Sequence, residues 1–193
     1  MNLQVRIKTD MTSEPVTSSE AKLWCKVTGT AEDSIFTILI GAARRALEKY
    51  TSSSFGEKTI HVTWLSRPDD DEFELPYGPI ISVDHVYLID EEGTEEEQTL
   101  NDDFYIHGDQ DAMVKLAKYW STGITDASAV RIEYTAGYNH TNTETLPGNL
   151  KLAILKQIAT DYEFRENMST EGNTVLNNSA KALAAPYRRS LWF

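Results

Sequence analysis

TAEDSIFTILIGAARRALEKYTSSSFGEKTIHVTW, residues 30–64, changes its hydrophobic period partway along. In the first half, apolar residues recur every three or four positions, which predicts an amphipathic helix with one buried face. That face comprises Ile35, Ile38, Leu39, Ala42, Ala46, Leu47 and Tyr50. Arg44 and Glu48 are predicted to lie mostly off it. From about residue 56 the period becomes two, with apolar residues at Ile60, Val62 and Trp64, as in a half-buried strand.

Helical signals also flank this stretch. Thr17 and Glu20 have the spacing of a capping box and predict a short helix before residue 30. After the strands, Pro147 suits a helix start, and apolar spacing continues from Leu150 to Tyr162. A short helix is predicted at residues 180–185, after a polar loop at 167–179.

Between these helices the sequence predicts strands in immediate succession. One is predicted to carry Ile81, Val83, His85, Tyr87 and Ile89 on a single face. Residues 104–107 and 113–116 suggest a hairpin, and alternation at residues 130–134 suggests a last strand. Strands without intervening helices favour an antiparallel sheet. The predicted class is α+β, with about four helices, two N-terminal and two C-terminal, around an inserted antiparallel sheet module. We expect a helical core from residues 14–55 and 147–193, and the sheet module from residues 56–138.

Charge is distributed unevenly along the chain. The formal net charge is −12, and residues 69–111 hold 16 Asp or Glu residues but no Lys or Arg. Such a field argues against wrapping DNA on the surface, because phosphate binding depends on Lys and Arg. The same field would suit a wall past which DNA slides. A solvated acidic loop is the simpler interpretation of this segment.

Residues with catalytic potential form no recognisable constellation. The four histidines, at positions 61, 85, 107 and 140, have no metal-ligand spacing, and the first three are predicted to be ordinary strand residues. Cys25 is expected to be a buried structural thiol. A hydrolase using Glu72 or Asp102 with a histidine is an unfavoured alternative, because these carboxylates are predicted to be solvated. A ligand-binding module lined by the aromatic residues Trp64, Tyr87 and Trp120 is another alternative.

The order of short motifs resembles one known family, the head–tail connector (adaptor) proteins of long-tailed bacteriophages. In the first half the motifs are Glu14-Pro15-Val16-Thr17, Glu20-Ala21-Lys22, Leu39-Ile40-x-Ala42-Ala43-Arg44 and Leu47-Glu48-x-Tyr50-Thr51. In the central part they are Pro76, Gly78-Pro79-Ile80, Val83 and Tyr87, similar to members with a β insertion. In the second half they are Tyr134-Thr135-Ala136-Gly137-Tyr138, Leu146-Pro147, the helix to Arg165-Glu166-Asn167, and Ala182-Leu183-x-Ala185-Pro186-Tyr187-Arg188. Ser53-Ser54-Phe55 departs from the Gly-Arg pair that commonly follows Tyr-Thr in the family.

The resemblance implies a structural virion protein without catalysis, cofactor or metal. It implies a ring of about twelve copies beneath the portal protein, with DNA passing through it and no membrane contact. A head-closure or tail-completion protein would bind the opposite face, and assembly would take place in the host cytoplasm. Another connector layer, with head-closure or tail-completion function, remains an open alternative.

Two sets of residues are predicted to serve this role. The C-terminal tail combines arginine with aromatic and aliphatic residues, as interface anchors do; folding back on the subunit's own core is an equal alternative. Its residues are Tyr187, Arg188, Arg189, Leu191, Trp192 and Phe193. The acidic region is expected to line or fringe the DNA channel. Its residues are Asp69, Asp70, Asp71, Glu72, Glu95, Glu96 and Glu97.

Overall fold

The computed structural model describes residues 3–65, 72–108, 113–116, 129–138, 145–164 and 176–189. Within these ranges the chain forms eight strands and four α-helices, with one turn of 3₁₀ helix at Ala185–Tyr187. The strands are β1 (Leu3–Thr9), β2 (Lys58–Trp64), β3 (Glu72–Glu74), β4 (Ile80–Ile89), β5 (Glu95–Glu97), β6 (Phe104–His107), β7 (Met113–Leu116) and β8 (Ala129–Ala136). The helices are α1 (Ser18–Trp24), α2 (Asp33–Thr51), α3 (Gly148–Glu163) and α4 (Asn178–Ala184).

Five strands form one antiparallel sheet in the order β1-β2-β8-β4-β5. Strand β8 lies at its centre and places Ile132 opposite Val62 of β2 and Val86 of β4. These side chains are buried, so one face of the sheet supplies a hydrophobic core. The predicted alternation in β2 and β8 is confirmed.

A second, three-stranded sheet has the order β3-β7-β6 and covers the same core. Its Phe73 packs edge-to-face on Trp64, with 5.1 Å between ring centroids. Phe104 and Val114 are buried in the same cluster. The predicted hairpin at residues 104–116 is confirmed as the β6–β7 pair.

The helices enclose a second hydrophobic core. Phe36 and Leu47 of α2 pack with Ile154 and Ile158 of α3, and all four are buried. The capping box predicted at the start of α1 is present, because the Thr17 hydroxyl accepts from the Glu20 N–H and Glu20 accepts from the Thr17 N–H. Together the sheets and helices confirm the α+β class.

The structure contradicts two predicted faces, one on α2 and one on β4. In α2 the buried apolar positions are Phe36, Ile40, Ala43 and Leu47, whereas Ile35 and Ile38 are exposed. Arg44 and Glu48, predicted to lie off the buried face, are themselves buried. The physical reason is that ion pairs within the fold neutralise both charges.

Strand β4 does not keep its five predicted residues on one face, because Val83 packs against the core whereas His85 is exposed. It buries Val86 and Leu88, whereas His85 is exposed and Tyr87 and Ile89 are only partly buried. Register shifts between Ile80 and Ser82 and between Val83 and His85 break strict alternation, which the sequence pattern assumed.

Smaller differences concern the ends of elements. Cys25 is half-buried rather than buried, because it lies at the exposed C-terminus of α1. Asn178 and Ser179, predicted to be loop, begin α4, since Asn177 caps that helix. Strand β1 was missed, although Leu3, Val5 and Ile7 alternate with Gln4, Arg6 and Lys8 as in a strand. The division into a helical core and an inserted sheet module stays a prediction, to which β1 adds an N-terminal strand of the sheet.

Candidate assembly surfaces

The sheet face opposite the core is polar and carries part of the acidic region. Cross-strand neighbours run across it from Arg6 through His61 and Glu133 to His85. The parallel row runs from Thr63 through Arg131 and Tyr87 to Glu97. This face therefore carries charged side chains from one edge of the sheet to the other.

Two of the predicted channel glutamates are held by their own subunit. Arg131 donates to both carboxylate oxygens of Glu95, and its guanidinium lies 4.7 Å from the centroid of the Tyr87 ring. The Glu95 carboxylate raises the pKa of Arg131. Glu97 lies 2.6 Å from His85 Nδ1. These contacts fix the two carboxylates on β5, whereas Glu96 points to the opposite face beside Leu88.

The other predicted acidic residues lie apart from β5. Glu72 begins β3, where it is paired in register with Lys115 of β7. Asp69, Asp70 and Asp71 lie outside the described residues. The structure therefore brings Glu95, Glu96 and Glu97 together on one edge strand and places Glu72 in the other sheet.

His61 lies in the centre of the polar face. Its Nε2 is 3.2 Å from a carboxylate oxygen of Glu133, which Lys8 also contacts at 3.3 Å. Burial lowers the pKa of His61; Glu133 opposes this, and the cations Lys8, Arg131 and Arg6 add to it. These surroundings together favour the neutral imidazole. His61, His85 and His107 are strand residues, as predicted, and His140 lies outside the described ranges.

The predicted C-terminal anchor begins as a docked segment. The Arg189 N–H donates to the carbonyl of Thr51 at 2.9 Å, at the end of α2. The Arg188 guanidinium lies 5.7 Å from the centroid of the Tyr50 ring, and Tyr187 packs against the helical core. Residues 187–189 thus lie against their own subunit. Leu191, Trp192 and Phe193 lie outside the described residues.

Helices α1 and α2 expose large apolar side chains that sequence reasoning assigned to the core or did not single out. Leu23 is 80% exposed and Ile38 is 70% exposed, and Trp24 and Ile35 are also exposed. Leu23 and Trp24 line a shallow depression with Leu155 of α3. Exposed apolar clusters of this kind mark protein interaction surfaces. We call Leu23, Trp24, Ile35 and Ile38 the α1–α2 apolar surface.

A buried ion cluster joins the helices to the sheet. Arg44 Nε donates to Glu14 at 2.8 Å and Nη1 donates to Glu48 at 2.9 Å. Lys58 of β2 donates to the same Glu48 oxygen at 2.6 Å and lies 3.3 Å from Asp10. Burial opposes ionisation of Asp10, but Lys58, the Met11 N–H and Arg44 outweigh it and lower the pKa. We call these five residues the Arg44 cluster; the four-residue spacing of Arg44 and Glu48 was its only sequence signal.

The described residues offer little for chemistry. Their histidine, cysteine and carboxylate side chains form no group of three or more suited to a metal ion. Burial raises the pKa of the Cys25 thiol, which disfavours the reactive thiolate. Among the described helices, none is long and apolar enough to cross a membrane. The geometry instead presents surfaces for protein contacts.

Residues 17–110, which include α1, α2 and most of the strands, match the family model described as "Phage gp6-like head-tail connector protein". This segment therefore belongs to the phage-type head–tail connector family, and we call the protein the connector. No curated protein matches the connector in sequence. The family resemblance derived from the short motifs is thereby confirmed, and the family is one of structural proteins.

Solved structures share the connector's fold along its whole length. One chain from a structure described as the neck of an empty gene transfer agent (GTA) particle with C6 symmetry is 21% identical, with a TM-score of 0.71 and coverage of 100% of this chain and 98% of that chain. A chain from the virion of a native GTA particle is 21% identical, with a TM-score of 0.72 and coverage of 98% and 97%. A chain from the neck of a native GTA particle with C12 symmetry is 21% identical, with a TM-score of 0.63 and coverage of 100% and 98%.

Proposed function

We propose that this connector is the head–tail adaptor of a phage or phage-like particle, forming a ring on the portal that joins the DNA-filled capsid to the tail. The observation that carries the proposal is the family match over residues 17–110. The shared fold with chains from particle necks, one of them with C12 symmetry, supports a ring of about twelve copies. Assembly would take place in the host cytoplasm, before or during docking.

The α1–α2 apolar surface supports contacts between proteins in such a ring. Its four exposed side chains lie within the segment that matches the connector family. A heterologous contact repeated around an axis closes into a ring and leaves this surface on every subunit available to a neighbour or to the portal. On the opposite face, a head-closure or tail-completion protein would bind.

We further propose that the acidic region faces the DNA channel and that the C-terminal tail contacts the portal. The glutamates of β5 lie on an exposed sheet edge, and the net charge of −12 would repel phosphate rather than hold it. Residues 187–189 lie against the end of α2, and the residues that follow them, Leu191, Trp192 and Phe193, would contact the portal. A structure of the ring in which the acidic residues lie only on the outer rim would contradict the channel role.

The experiment that tests the adaptor function is mass photometry of the connector mixed with the portal protein of the same genome. We expect the portal complex to gain the mass of about twelve connector subunits. No added mass at micromolar concentration would contradict portal binding and favour a head-closure or tail-completion layer. A ligand-binding module is disfavoured, because Trp64, one of its proposed lining residues, is fully buried against Phe73; Trp120 lies outside the described residues.

A further inference from the structure

We infer that the five-stranded sheet continues from one copy of the connector to the next, with the exposed edge of β1 in one copy pairing with the exposed edge of β5 in its neighbour. Strands β1 and β5 are the two outer strands of this sheet. The inference rests on the proposed ring and specifies the contact between its subunits, in which Glu95, Glu96 and Glu97 of β5 pair with a neighbouring copy rather than face the DNA channel.

Strand β1 has the character of an unprotected edge. Val5 is 40% exposed and Ile7 is 51% exposed, although both lie on the core-facing side of the sheet, in register with Val62 and Ile60. Within the described residues β1 pairs only with β2. An exposed apolar edge strand is a template for pairing with another chain, and soluble proteins normally cover it.

The polar face of the sheet is basic at one edge and acidic at the other. Arg6 and Lys8 of β1 lie on this face, as do Glu95 and Glu97 of β5. If the sheets of adjacent copies are aligned side by side, Arg6 and Lys8 of one copy meet Glu95 and Glu97 of the next. Opposite charges on neighbouring strands stabilise pairing and set its register.

The core-facing side of the sheet is also basic at the β1 edge and acidic at the β5 edge. Arg45 and Lys49 of α2 line a groove of about 250 Å³ beside β1, together with Val5, Ile7 and Tyr77. At the other edge, Glu96 lies on the core-facing side, in register with Leu88. A β5 strand placed against β1 would therefore bring Glu96 towards Arg45 and Lys49. Along β5, Glu95 and Glu97 lie on the polar face and Glu96 lies on the core-facing side. Glu95 and Glu97 would therefore meet Arg6 and Lys8, and Glu96 would meet Arg45 and Lys49.

Strand direction favours a repeating contact over a twofold one. Four antiparallel steps separate β1 from β5, so the two strands point the same way and would pair as parallel strands between equally oriented copies. Pairing of β1 with a second β1 would place Arg6 and Lys8 against like charges, and pairing of β5 with β5 would oppose glutamates. The contact is therefore heterologous, which is the type that closes into rings.

The test is a charge exchange across the two edges, measured as the mass of connector bound to the portal. Arg6→Glu with Lys49→Glu reverses the charge of the β1 edge, and Glu96→Lys with Glu97→Lys reverses the charge of the β5 edge. A fourfold variant combines all four substitutions. We expect each edge variant to lose the full ring and the fourfold variant to regain it. Lys156→Glu with Lys181→Glu, on α3 and α4, is the control with the same charge change as the β1-edge variant, and it should assemble like the wild type. Circular dichroism of every variant verifies that it is folded.

A second readout locates the contact directly. A zero-length carbodiimide reagent joins lysine to carboxylate, and rings built from mixed ¹⁴N and ¹⁵N protein separate links between copies from links within one copy. We expect links between copies that join Lys8 or Lys49 to the segment Glu95–Glu97, and a Lys8–Glu133 link within one copy. Full assembly of both edge variants, or failure of the fourfold variant to regain assembly, would overturn the inference while the adaptor function stands. Absence of portal binding by the wild type would instead overturn the adaptor function, and the ring contact with it.

Discussion

Arg44 and Glu48, one helical turn apart on α2, form an ion pair with 2.9 Å between Nη1 and Oε2, and both side chains are buried. Neither charge would be stable there alone. Glu14, Asp10 and Lys58 complete the cluster, and the second Glu48 oxygen accepts from the Phe55 N–H at 2.8 Å. The Arg44 cluster therefore joins α2 to β2 by charge.

Arg44→Met tests the Arg44 cluster. It removes the guanidinium that pairs with Asp10, Glu14 and Glu48, of which Lys58 contacts only Asp10 and Glu48. We expect the free energy of unfolding to fall by about 3 kcal/mol. Urea denaturation followed by circular dichroism measures it. Arg45→Met is the matched control, because Arg45 is exposed and contacts Asp10 only at 3.9 Å; its effect should stay within about 0.5 kcal/mol. Equal losses in the two variants would contradict a structural role for the cluster.

Gly137→Ala tests the end of β8. Gly137 has φ +140°, and an added Cβ would lie 2.0 Å from the carbonyl oxygen of Gly56. The backbones must separate to admit a methyl group, so we expect a loss of about 2–4 kcal/mol in stability. Gly148→Ala at the start of α3 meets nothing within 4 Å and should change stability by less than about 1 kcal/mol. Thermal melting of both variants gives the comparison.

Ile38→Ala and Ile40→Ala separate assembly from folding on a single helix. Ile40 is buried, so its truncation should cost about 2–5 kcal/mol of stability. Ile38 is exposed, so its truncation should leave the melting temperature unchanged but reduce the number of copies bound to the portal. Wild-type assembly by the Ile38 variant would exclude this position from the interface.

Glu20 predicts a pH dependence of stability. The hydrogen bond from Lys151, followed by that from the Thr17 N–H, lowers the pKa of Glu20 to about 2 in the folded chain. Because the folded pKa lies below the ordinary value of 4.5, the contribution of Glu20 to stability is complete above pH 4.5 and is lost as the pH falls towards 2. The side chain is 41% exposed, so the contribution is below about 1 kcal/mol. Denaturation of wild type and Glu20→Gln should differ at pH 7 and converge near pH 2.

Deletion of residues 190–193 tests the C-terminal anchor. It retains the Arg189 hydrogen bond to Thr51 and the packing of Tyr187, so the melting temperature should not change. We expect loss of portal binding, measured by mass photometry. Deletion of residues 187–193 should remove binding and also lower stability, because it removes these contacts. Retained binding by the shorter deletion would contradict the anchor.

The sequence predicts those parts of the connector in which burial follows a regular period. Ile60, Val62 and Trp64 alternate in a central strand, and the capping box at Thr17 is local chemistry, so both predictions are confirmed. The predicted face of α2 was wrong because Ile35 and Ile38 are apolar but exposed, whereas Arg44 is buried with Glu14 and Asp10, which lie 30 and 34 residues away in sequence. Strand β1 was missed although Leu3, Val5 and Ile7 alternate with polar residues, a pattern that predicts a strand. Long-range pairing, which sequence periodicity does not encode, accounts for the wrong face of α2.

The central position of β8 has a consequence for biosynthesis. A nascent chain that ends before residue 129 contains β2 and β4 but lacks the strand that hydrogen-bonds to both. It also lacks α3, whose Ile154 and Ile158 complete the helical core. Neither core can close until the C-terminal third of the chain leaves the ribosome, so prematurely terminated products expose two apolar surfaces at once. Such products are targets for chaperones and proteases, and only full-length connectors remain to enter the particle.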